Sequence, residues 1–318
     1  MPTVRFNHSD LSKIQERFGL KYSTELLGTI GGIGCSVEEN NSEEIEIEIF
    51  PDRADLLSPG TLAYASRTFL HGEKAIPKLT IESSGISLDV DSSLKDVRPV
   101  IYAAVVKGVD TGENIDEINR FIQTIMDHQE KLHFSLGKRR SKASIGVHDL
   151  SNLKGDFKVI TADENYTFTP LATDKEMSIY DILNNHPKGI DYAHLLEGMN
   201  KYPLILDSNN SVLSFPPIIN GNHTTVNDST KDFFIDVTGW DSRTCECCLL
   251  LICLELASRG GTIQSVKIND WGGNDITTPN GKPINHQLTQ RLLESMLGKS
   301  FNEEELTAAI NRMGGNYI

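Results

Sequence analysis

Apolar residues recur along the chain with two periods, one typical of strands and one of helices. Residues 43–50, EEIEIEIF, alternate acidic and apolar side chains, which predicts a strand with one solvated face. Residues 113–133 carry apolar side chains at helical spacing, which predicts a helix. Residues 98–109 and 233–239 are mostly apolar runs of the kind that form buried strands. The pattern predicts an α+β, or mixed α/β, multidomain protein.

Polar segments divide this pattern into three parts. A linker at 73–85 follows a small N-terminal α/β domain, residues 1–80. A larger region of mixed strands and helices then occupies residues 85–270. A second polar linker follows Trp271, and two short helices are predicted within residues 275–318.

Four helix starts are marked by residues whose side chains can accept a hydrogen bond from the first turn. The predicted N-caps are Ser9 or Asp10, Ser58 before Pro59, Asp241 or Ser242, and Asn302 or Ser300. These positions set the expected beginnings of the helices.

Composition limits the possible partners. The chain has 318 residues, enough for two or three domains, and its net charge is −14. A uniformly acidic surface would repel nucleic acid, so any RNA contact requires a local basic patch. The N-terminal residues lack the apolar run of a signal peptide, and CCLLLICLELA, at 247–257, is too short to span a membrane. We therefore expect a cytoplasmic protein without a membrane partner.

The cysteines point the same way. Their number is odd, and four of the five are crowded between residues 245 and 253, which favours reduced thiols over a disulfide framework. Cys245 and Cys248 have the spacing of half a zinc site, but no second pair follows. We interpret them as core residues of a buried helix and predict no metal site.

Positive charge is concentrated in residues 128–150. Lys138, Arg139, Arg140 and Lys142 lie within five positions of one another. Two interpretations stay open for this stretch, a phosphate-contacting surface or a solvated loop between a helix and a strand.

His148 and Asp149 could form an acid–base pair. Adjacent residues on a strand point to opposite faces, however, so they would not face one substrate unless the strand had ended. A capping or turn role is the favoured interpretation.

Residues 212–239 combine turn signals with polar residues beside apolar runs. Pro216-Pro217 excludes a regular paired strand at that point, and Asn220-Gly221 marks a turn. The polar positions are Ser214, Asn220, His223, Asp236 and Thr238. The stretch is consistent with a rigid-walled pocket, and equally with an ordinary turn followed by a strand whose aspartate faces solvent.

Several motifs together resemble a known family. They are, in chain order, IEIFPDRADLLSPGTLAYASR, RPVIYAAVV, QEKLH, LGKRRSKASIGVHDL, HPKGIDYAHLL, YPLILD, VLSFPPIIN and FIDVTG. The series is similar to the β subunit of archaeal/eukaryotic-type phenylalanyl-tRNA synthetase over nearly the whole chain. The resemblance implies an N-terminal β-subunit domain at 1–80, an editing domain at 85–270, and the opening helices of an incomplete winged-helix-like domain at 275–318.

The resemblance also implies roles for individual residues. Ser214, Asp236 and Thr238 match positions that line the family's editing pocket, and Leu204 or Leu206 would supply an apolar wall beside Pro216 and Pro217. As a hypothesis, Asp236 and Ser214 read the tyrosine hydroxyl or amino group, while Thr238, Asn220 and His223 place the ester and a water. The resemblance also favours the interpretation of the basic stretch as a tRNA contact, formed by Lys138, Arg139, Arg140 and Lys142.

The resulting hypothesis is hydrolysis of mischarged Tyr-tRNA(Phe) by an editing portion of the β subunit. The family pairs this subunit with an α subunit in an α2β2 enzyme that charges tRNA(Phe) with phenylalanine using ATP and Mg²⁺, and no cofactor is expected in this chain. An alternative is a non-catalytic tRNA-binding or assembly portion that is active only in the heterotetramer. A third possibility is an unrelated small-molecule hydrolase that uses His148.

Overall fold

The computed structural model describes residues 3–21, 23–72 and 79–316. The chain divides into two compact units, one of residues 1–80 and 281–318 and the other of residues 81–280. Parts of the expected linker at 73–85 lie outside the described residues. The expectation that 275–318 opens a winged-helix-like domain stays a prediction.

The elements are named in chain order. The strands are β1 (Thr3–Asn7), β2 (Cys35–Asn40), β3 (Glu44–Ile49), β4 (Glu82–Val90), β5 (Val100–Lys107), β6 (Ala143–Asp149), β7 (Phe157–Ala162), β8 (Thr167–Phe168), β9 (Met177–Ser178), β10 (Tyr202–Leu206), β11 (Val212–Phe215), β12 (Ile219–Asn220), β13 (Phe233–Gly239), β14 (Thr262–Asn269) and β15 (Ile276–Thr278). The helices are α1 (His8–Arg17), α2 (Thr24–Leu27), α3 (Pro59–His71), α4 (Ile115–Phe134), α5 (Ile179–Asn185), α6 (Pro187–Tyr192), α7 (Ser242–Ser258), α8 (Gln290–Leu297) and α9 (Glu303–Arg312).

The first unit is built on an antiparallel sheet in the order β1-β3-β2. Its central strand, β3, follows the predicted alternation, because Ile45, Ile47 and Ile49 are fully buried while the intervening glutamates are partly exposed. The sequence pattern alone therefore fixes which face of this sheet packs on the core.

Three of the predicted helix starts are confirmed. Ser58, Asp241 and Asn302 each accept a hydrogen bond from a backbone N–H of the first turn. The start of α1 differs, because Asn7 is the N-cap and its side-chain oxygen accepts from the backbone N–H of Ser9. Asn7 ends a strand, so the chain passes from strand to helix without an intervening loop.

The second unit contains a mixed sheet in the order β12-β11-β10-β7-β4-β14-β5-β13-β6, with β15 paired to β14. β4 runs parallel to its neighbours β7 and β14, and the other pairs are antiparallel. The apolar runs predicted as buried strands are β5 and β13, which lie side by side. One strand was not foreseen, since β15 falls within the predicted linker after Trp271. The predicted mixed α/β class is confirmed.

Strand β6 is the last strand of this order and pairs with β13 along one edge. Among the described residues, no strand pairs with its other edge. This edge is where the candidate site lies. Among the described helices, none is long and apolar enough to cross a membrane.

Candidate functional site

A cavity of about 480 Å³ lies beside the outer edge of β6. Helix α4 contributes Ile122, Ile125 and Met126 to its wall, and the segment from Ser214 to Asn220 contributes the facing wall. The volume falls within the ~300–1,000 Å³ typical of small-molecule sites, and the apolar walls are also typical of them.

Side chains from other elements satisfy the backbone groups at this edge. The Gln129 amide donates to the Ile145 carbonyl over 2.7 Å, and the Ile145 N–H donates to His133 Nε2 over 2.8 Å. Asn220 Nδ2 lies 3.5 Å from the Val147 carbonyl. An edge strand that is covered in this way is closed to further strand pairing, so the space beside it is available to a ligand.

Asp236 is the most buried carboxylate in the cavity wall, with 1% of its surface exposed. It lies in the middle of β13, between Gly146 on β6 and Ala103 on β5. Oδ2 lies 2.8 Å from His148 Nε2. Within the described part of the chain, Oδ1 has no hydrogen-bond partner, so the carboxylate keeps an acceptor for a ligand in the cavity.

His148 links Asp236 to the segment after β12. Its Nδ1 lies 2.8 Å from the Thr224 hydroxyl oxygen, and its ring is fully buried. Thr224 belongs to a short 3-10 turn, Asn222–Thr224, and also lines the cavity. The side chain that pairs with His148 is therefore Asp236 on the neighbouring strand and not Asp149.

Asp149 has the turn role that was favoured for it. Its carboxylate accepts from the backbone N–H of Ser151 over 2.9 Å and from the Thr230 hydroxyl over 3.0 Å. His148 and Asp149 thus have different partners, as expected for adjacent residues on one strand. His148 is fully enclosed with both ring nitrogens in contact with protein atoms, which argues against the hydrolase interpretation that relied on it.

Gly146 makes room for the Asp236–His148 pair. A Cβ atom at this position would lie 2.0 Å from Asp236 Oδ2 and 2.6 Å from His148 Nε2. Real contacts of that kind are not shorter than van der Waals distance, so only glycine allows the carboxylate and the imidazole to meet over β6.

A second polar network lies two residues farther along β13. The buried guanidinium of Arg98 donates to the Thr238 hydroxyl over 2.7 Å, to the Ser144 hydroxyl over 3.1 Å and to the Thr238 carbonyl over 2.8 Å. Another of its bonds runs to the Arg140 carbonyl over 3.1 Å. Burial lowers the pKa of Arg98 to about 10, which leaves it protonated at neutral pH. The network joins β13, β6 and the loop before β6.

That loop turns Arg140 inward. Lys138, Arg139 and Arg140 have φ values of 46°, 52° and 68°, a left-handed turn that costs non-glycine residues about 1–2 kcal/mol each. The surroundings hold it in place, since the Arg140 guanidinium donates to the Pro217 and Ile218 carbonyls over 3.1 and 3.0 Å. Only 7% of Arg140 is exposed, so it belongs to the cavity wall.

Glu130 on α4 completes this side of the cavity. Its carboxylate accepts from Arg140 over 2.7 Å and lies 3.5 Å from His133 Nδ1. The contacts with His133 and then with Arg140 lower the pKa of Glu130 to about 2, against the cost of partial burial. Burial lowers the pKa of His133, so this imidazole is neutral at pH 7.

The structure brings together five of the nine residues expected to bind or act on a substrate. The cavity is lined by Ser214, Pro216, Pro217, Asn220 and Asp236. Ser214 pairs with Asn220 across β11 and β12, which places both polar side chains at one end of the cavity. Pro216 and Pro217 form the connection between these strands, as the turn signals predicted.

The other four lie elsewhere. Leu204 and Leu206 are fully buried in a cluster with Phe215 and Ile218, behind the cavity wall. Thr238 is bonded to Arg98 and Ser144 and does not line the cavity. His223 lines a separate, more polar pocket with Tyr166 and Asn222. Its neighbour Thr224 lines the cavity instead and contacts His148.

The basic stretch is divided by the left-handed turn. Lys138 and Arg139 are exposed, Lys142 is half-buried, and the Arg139 guanidinium lies 5.3 Å from the centre of the Phe134 ring. Arg140 differs from the expectation of a surface contact, because its guanidinium is buried and bonded to two carbonyls and Glu130. A phosphate-contacting surface here would use the other three residues.

Sequence reasoning did not assign Arg98, Gly146, Thr224 or Glu130 to the site. Arg98 opens the motif RPVIYAAVV, and an arginine beside an apolar run is the one local signal that could have drawn attention to it. Gly146, in the middle of a predicted strand, was a second such signal, because glycine there often marks a close approach. Nothing local distinguished Thr224 from Thr225.

The cysteines of α7 match the core interpretation with one exception. Cys245, Cys248 and Cys253 are buried, while Cys247 is exposed. Burial raises the pKa of Cys245 to about 12, so it is a thiol at neutral pH and a poor metal ligand. Over the described ranges no cluster of three or more His, Cys, Asp or Glu side chains could hold a metal ion.

Comparison with known proteins gives one consistent answer. The family model for the B3/4 domain matches residues 97–246, which contain β6, β11, β12 and β13, the strands that contribute to the cavity wall. The phenylalanine–tRNA ligase beta subunit of Methanosarcina acetivorans is 38% identical over 98% of this chain and 55% of its own length. That of Methanosarcina barkeri is 39% identical over 98% and 56%. The chain thus spans slightly more than half the length of the curated relatives it matches.

A solved structure is similar over the whole length. It is the crystal structure of an N-terminal fragment of the phenylalanyl-tRNA synthetase beta subunit from Pyrococcus horikoshii, with a TM-score of 0.86 and 30% identity. The match covers 98% of this chain and 89% of the fragment.

Proposed function

We propose that this chain, which belongs to the family of phenylalanine–tRNA ligase β subunits, hydrolyses the ester of tyrosine that has been mischarged to tRNA(Phe). The observation that carries the proposal is the buried Asp236 carboxylate, which lines an otherwise mostly apolar cavity and whose Oδ1 atom is without a described partner. In this hypothesis the tyrosine ring occupies the cavity and its hydroxyl donates to Oδ1.

Such a site favours tyrosine over phenylalanine for a physical reason. An apolar pocket that accepts phenylalanine rejects a hydroxylated analogue by only about 10²-fold, so an enzyme that charges phenylalanine benefits from a second selection. A pocket with a buried hydrogen-bond acceptor selects tyrosine over phenylalanine instead. Phenylalanine would leave Asp236 Oδ1 desolvated and without a donor, at a cost of about 1–3 kcal/mol or more.

The hydrolytic step needs a positioned water but no nucleophilic side chain in this proposal. The ester to tRNA is an activated bond, and holding water and ester in reacting geometry removes much of the barrier. Ser214 and Asn220, which line the cavity, are the polar groups available to place the ester and the water. We expect no covalent intermediate.

The exposed rim supports an RNA substrate. Lys188 is an exposed cation in the cavity wall, and Lys138 and Arg139 are exposed on the loop whose next residue, Arg140, lines the cavity. Together with Lys142 they supply positive charge beside the opening, on a chain whose net charge is −14. We propose these residues as contacts for the tRNA backbone.

Charging of tRNA(Phe) with phenylalanine, with its ATP and Mg²⁺, belongs in this proposal to a complete enzyme that also contains an α subunit. The competing hypothesis is a binding or assembly portion that is inactive unless that enzyme is complete. The enclosed carboxylate favours hydrolysis, because a surface that only binds tRNA has no use for an unpaired buried acceptor.

The decisive experiment is deacylation by the isolated chain. Tyr-tRNA(Phe) and Phe-tRNA(Phe) are each incubated with wild type, with Asp236→Asn and with Asp149→Asn, a buried carboxylate one strand away that does not line the cavity. We expect wild type and Asp149→Asn to release tyrosine faster than phenylalanine, and Asp236→Asn to lose this preference. If wild type releases no tyrosine, hydrolysis by the chain alone is wrong. If Asp236→Asn matches wild type, the site assignment is wrong.

A further inference from the structure

The two oxygens of Asp236 have different surroundings. Oδ2 is 2.8 Å from His148 Nε2, while Oδ1 is without a partner among the described residues. A carboxylate can rotate about its last bond, so its plane keeps one orientation toward the cavity only if one of its oxygens is held. His148 is in the right place to hold it.

His148 cannot itself touch a substrate. None of its surface is exposed, and its two ring nitrogens each lie 2.8 Å from a protein oxygen. A general base must reach the proton that it removes, directly or through one water. The imidazole can therefore act only through Asp236.

Thr224 supplies the means to fix the imidazole. Its hydroxyl oxygen lies 2.8 Å from His148 Nδ1 and 3.0 Å from the Gly221 carbonyl oxygen, and a hydroxyl has only one hydrogen to donate. An ionised carboxylate can only accept hydrogen bonds, so the hydrogen between Asp236 Oδ2 and His148 belongs to Nε2. In the neutral imidazole Nδ1 is then an acceptor, and the Thr224 hydroxyl can donate to it in place of the Gly221 carbonyl.

We propose that Thr224 and His148 are positioning residues for Asp236: the Thr224 hydroxyl donates to Nδ1, Nε2–H donates to Oδ2, and Oδ1 is thereby held toward the cavity. Because the carboxylate plane could otherwise rotate away from the orientation that meets the tyrosine hydroxyl, these two residues set how well the site distinguishes tyrosine from phenylalanine. The inference rests on the proposed function for its effect on selectivity, but the arrangement of hydrogens can be tested without activity.

The chain offers a matched set of threonine variants. Thr224→Val removes the hydroxyl at nearly constant volume, and Thr224→Ser restores it. Thr230→Val is the control, because Thr230 is also a buried threonine whose hydroxyl bonds an aspartate, Asp149, away from the cavity. His148→Gln, whose amide can place a donor near the position of Nε2, is compared with His148→Leu, which cannot.

Deacylation of Tyr-tRNA(Phe) and Phe-tRNA(Phe) is measured for each variant as kcat/KM. We expect Thr224→Val to lower kcat/KM for the tyrosyl ester about 10- to 100-fold, as small displacements of a reacting or binding group do, with a much smaller change for the phenylalanyl ester. Thr224→Ser should recover most of the tyrosine preference, and His148→Gln should retain more of it than His148→Leu. Thr230→Val should change both esters by the same factor. Parallel losses on both esters in Thr224→Val would overturn the proposal, since a purely structural defect has that signature.

The second measurement is independent of catalysis. In a chain labelled with ¹⁵N-histidine, the signals of His148 are identified by their disappearance in His148→Gln. We expect the ring hydrogen on Nε2 in wild type and in Thr224→Ser, and an altered signal in Thr224→Val. A hydrogen on Nδ1 in wild type would overturn the positioning arrangement. Inactive wild type with the expected Nε2 signal would instead overturn the proposed function and leave this arrangement intact.

Discussion

Asp236 and Thr238 lie two residues apart on β13, so their side chains leave the strand on the same face of the sheet. Both are 1% exposed, and both contact a side chain of β6. Yet Asp236 lines the cavity and keeps an acceptor for a ligand, while the Thr238 hydroxyl is shared between Arg98 and Ser144 and lines no part of it. We call Asp236 the open position and Thr238 the closed position of β13.

The difference comes from what lies opposite each residue on β6. Asp236 faces Gly146, which has no side chain, and Thr238 faces Ser144, which does. Because Gly146 has no side chain, the Asp236–His148 pair can occupy the space above it. Gly146 and Asp236 both line the cavity. Two polar residues that are equally buried on one face of one strand can thus differ. One lines a cavity, and the other bonds only to protein groups.

Arg98→Met should cause the largest loss of stability, because it removes the hydrogen bonds at the closed position. The change leaves the Thr238 and Arg140 carbonyls without their donor, and each buried unsatisfied group costs about 1–3 kcal/mol, so we expect unfolding free energy to fall by roughly 2–5 kcal/mol. Urea denaturation measures the loss. Arg5→Met is the control, because Arg5 makes its ion pairs on the exposed face of β1 and should leave the midpoint unchanged. Equal midpoints for both variants would refute a structural role for the Arg98 network.

Gly146→Ala should disturb the Asp236–His148 pair at the open position. The added methyl would overlap Asp236 Oδ2 and His148 Nε2, and we expect a loss of about 1–3 kcal/mol from overpacking, with loss of the tyrosine preference in deacylation. Gly31→Ala serves as the control, since a Cβ there meets nothing within 4 Å. A Gly146→Ala protein with wild-type stability and selectivity would show that the pair does not need this space.

The stability of the protein at low pH should depend on Glu130 in the cavity wall. Its pKa is about 2 in the folded protein against an ordinary 4.5, so the unfolded state takes up protons first as the pH falls. The stability that Glu130 contributes is present above pH 4.5 and is lost between about pH 4.5 and 2. Glu130→Gln should therefore be less stable than wild type at pH 6, and the difference should vanish toward pH 2. Denaturation midpoints across this range give the test, and a constant difference would show that Glu130 is not held by His133 and Arg140.

The smallest expected effect is on tRNA affinity outside the cavity. Replacing Lys138 and Arg139 with glutamine should weaken tRNA binding and reduce the slope of log K against log salt by about 0.7–0.9 per lost phosphate contact. The charge-matched control replaces Lys95 and Lys107, which are exposed elsewhere in the same unit. Binding titrations between low and moderate salt give both slopes. An unchanged slope in the Lys138/Arg139 variant would favour the solvated-loop interpretation.

Local patterns predicted much of the fold and part of the site. The alternation of β3, the apolar runs of β5 and β13 and the caps at Ser58, Asp241 and Asn302 depend on residues within a few positions of one another, and each is confirmed. The resemblance carried by VLSFPPIIN and FIDVTG singled out residues that do meet in the cavity. It did not separate Asp236 from Thr238, because both positions share one face of one strand.

Two differences between the expected site and the structure have a common cause. Arg140 was expected on the surface because its neighbours in sequence are cations, but a left-handed turn and two carbonyl acceptors draw it inward. His223 was singled out by the sequence and Thr224 was not, but the 3-10 turn places Thr224, and not His223, in the cavity wall beside His148. Each outcome depends on a partner that is far away in sequence.

The sequence by itself determined that β5 and β13 are buried, where three helices begin, and that a polar, proline-walled segment accompanies the strand of Asp236. Local rules suffice for this, because hydrogen bonds within a turn and the period of side chains join residues a few positions apart. Only the tertiary structure decided that His148 holds Asp236 and that Arg98 holds Thr238, contacts between residues 88 and 140 positions apart. The register of β6 against β13 sets these contacts, because it alone places a glycine opposite one polar side chain and a serine opposite the other.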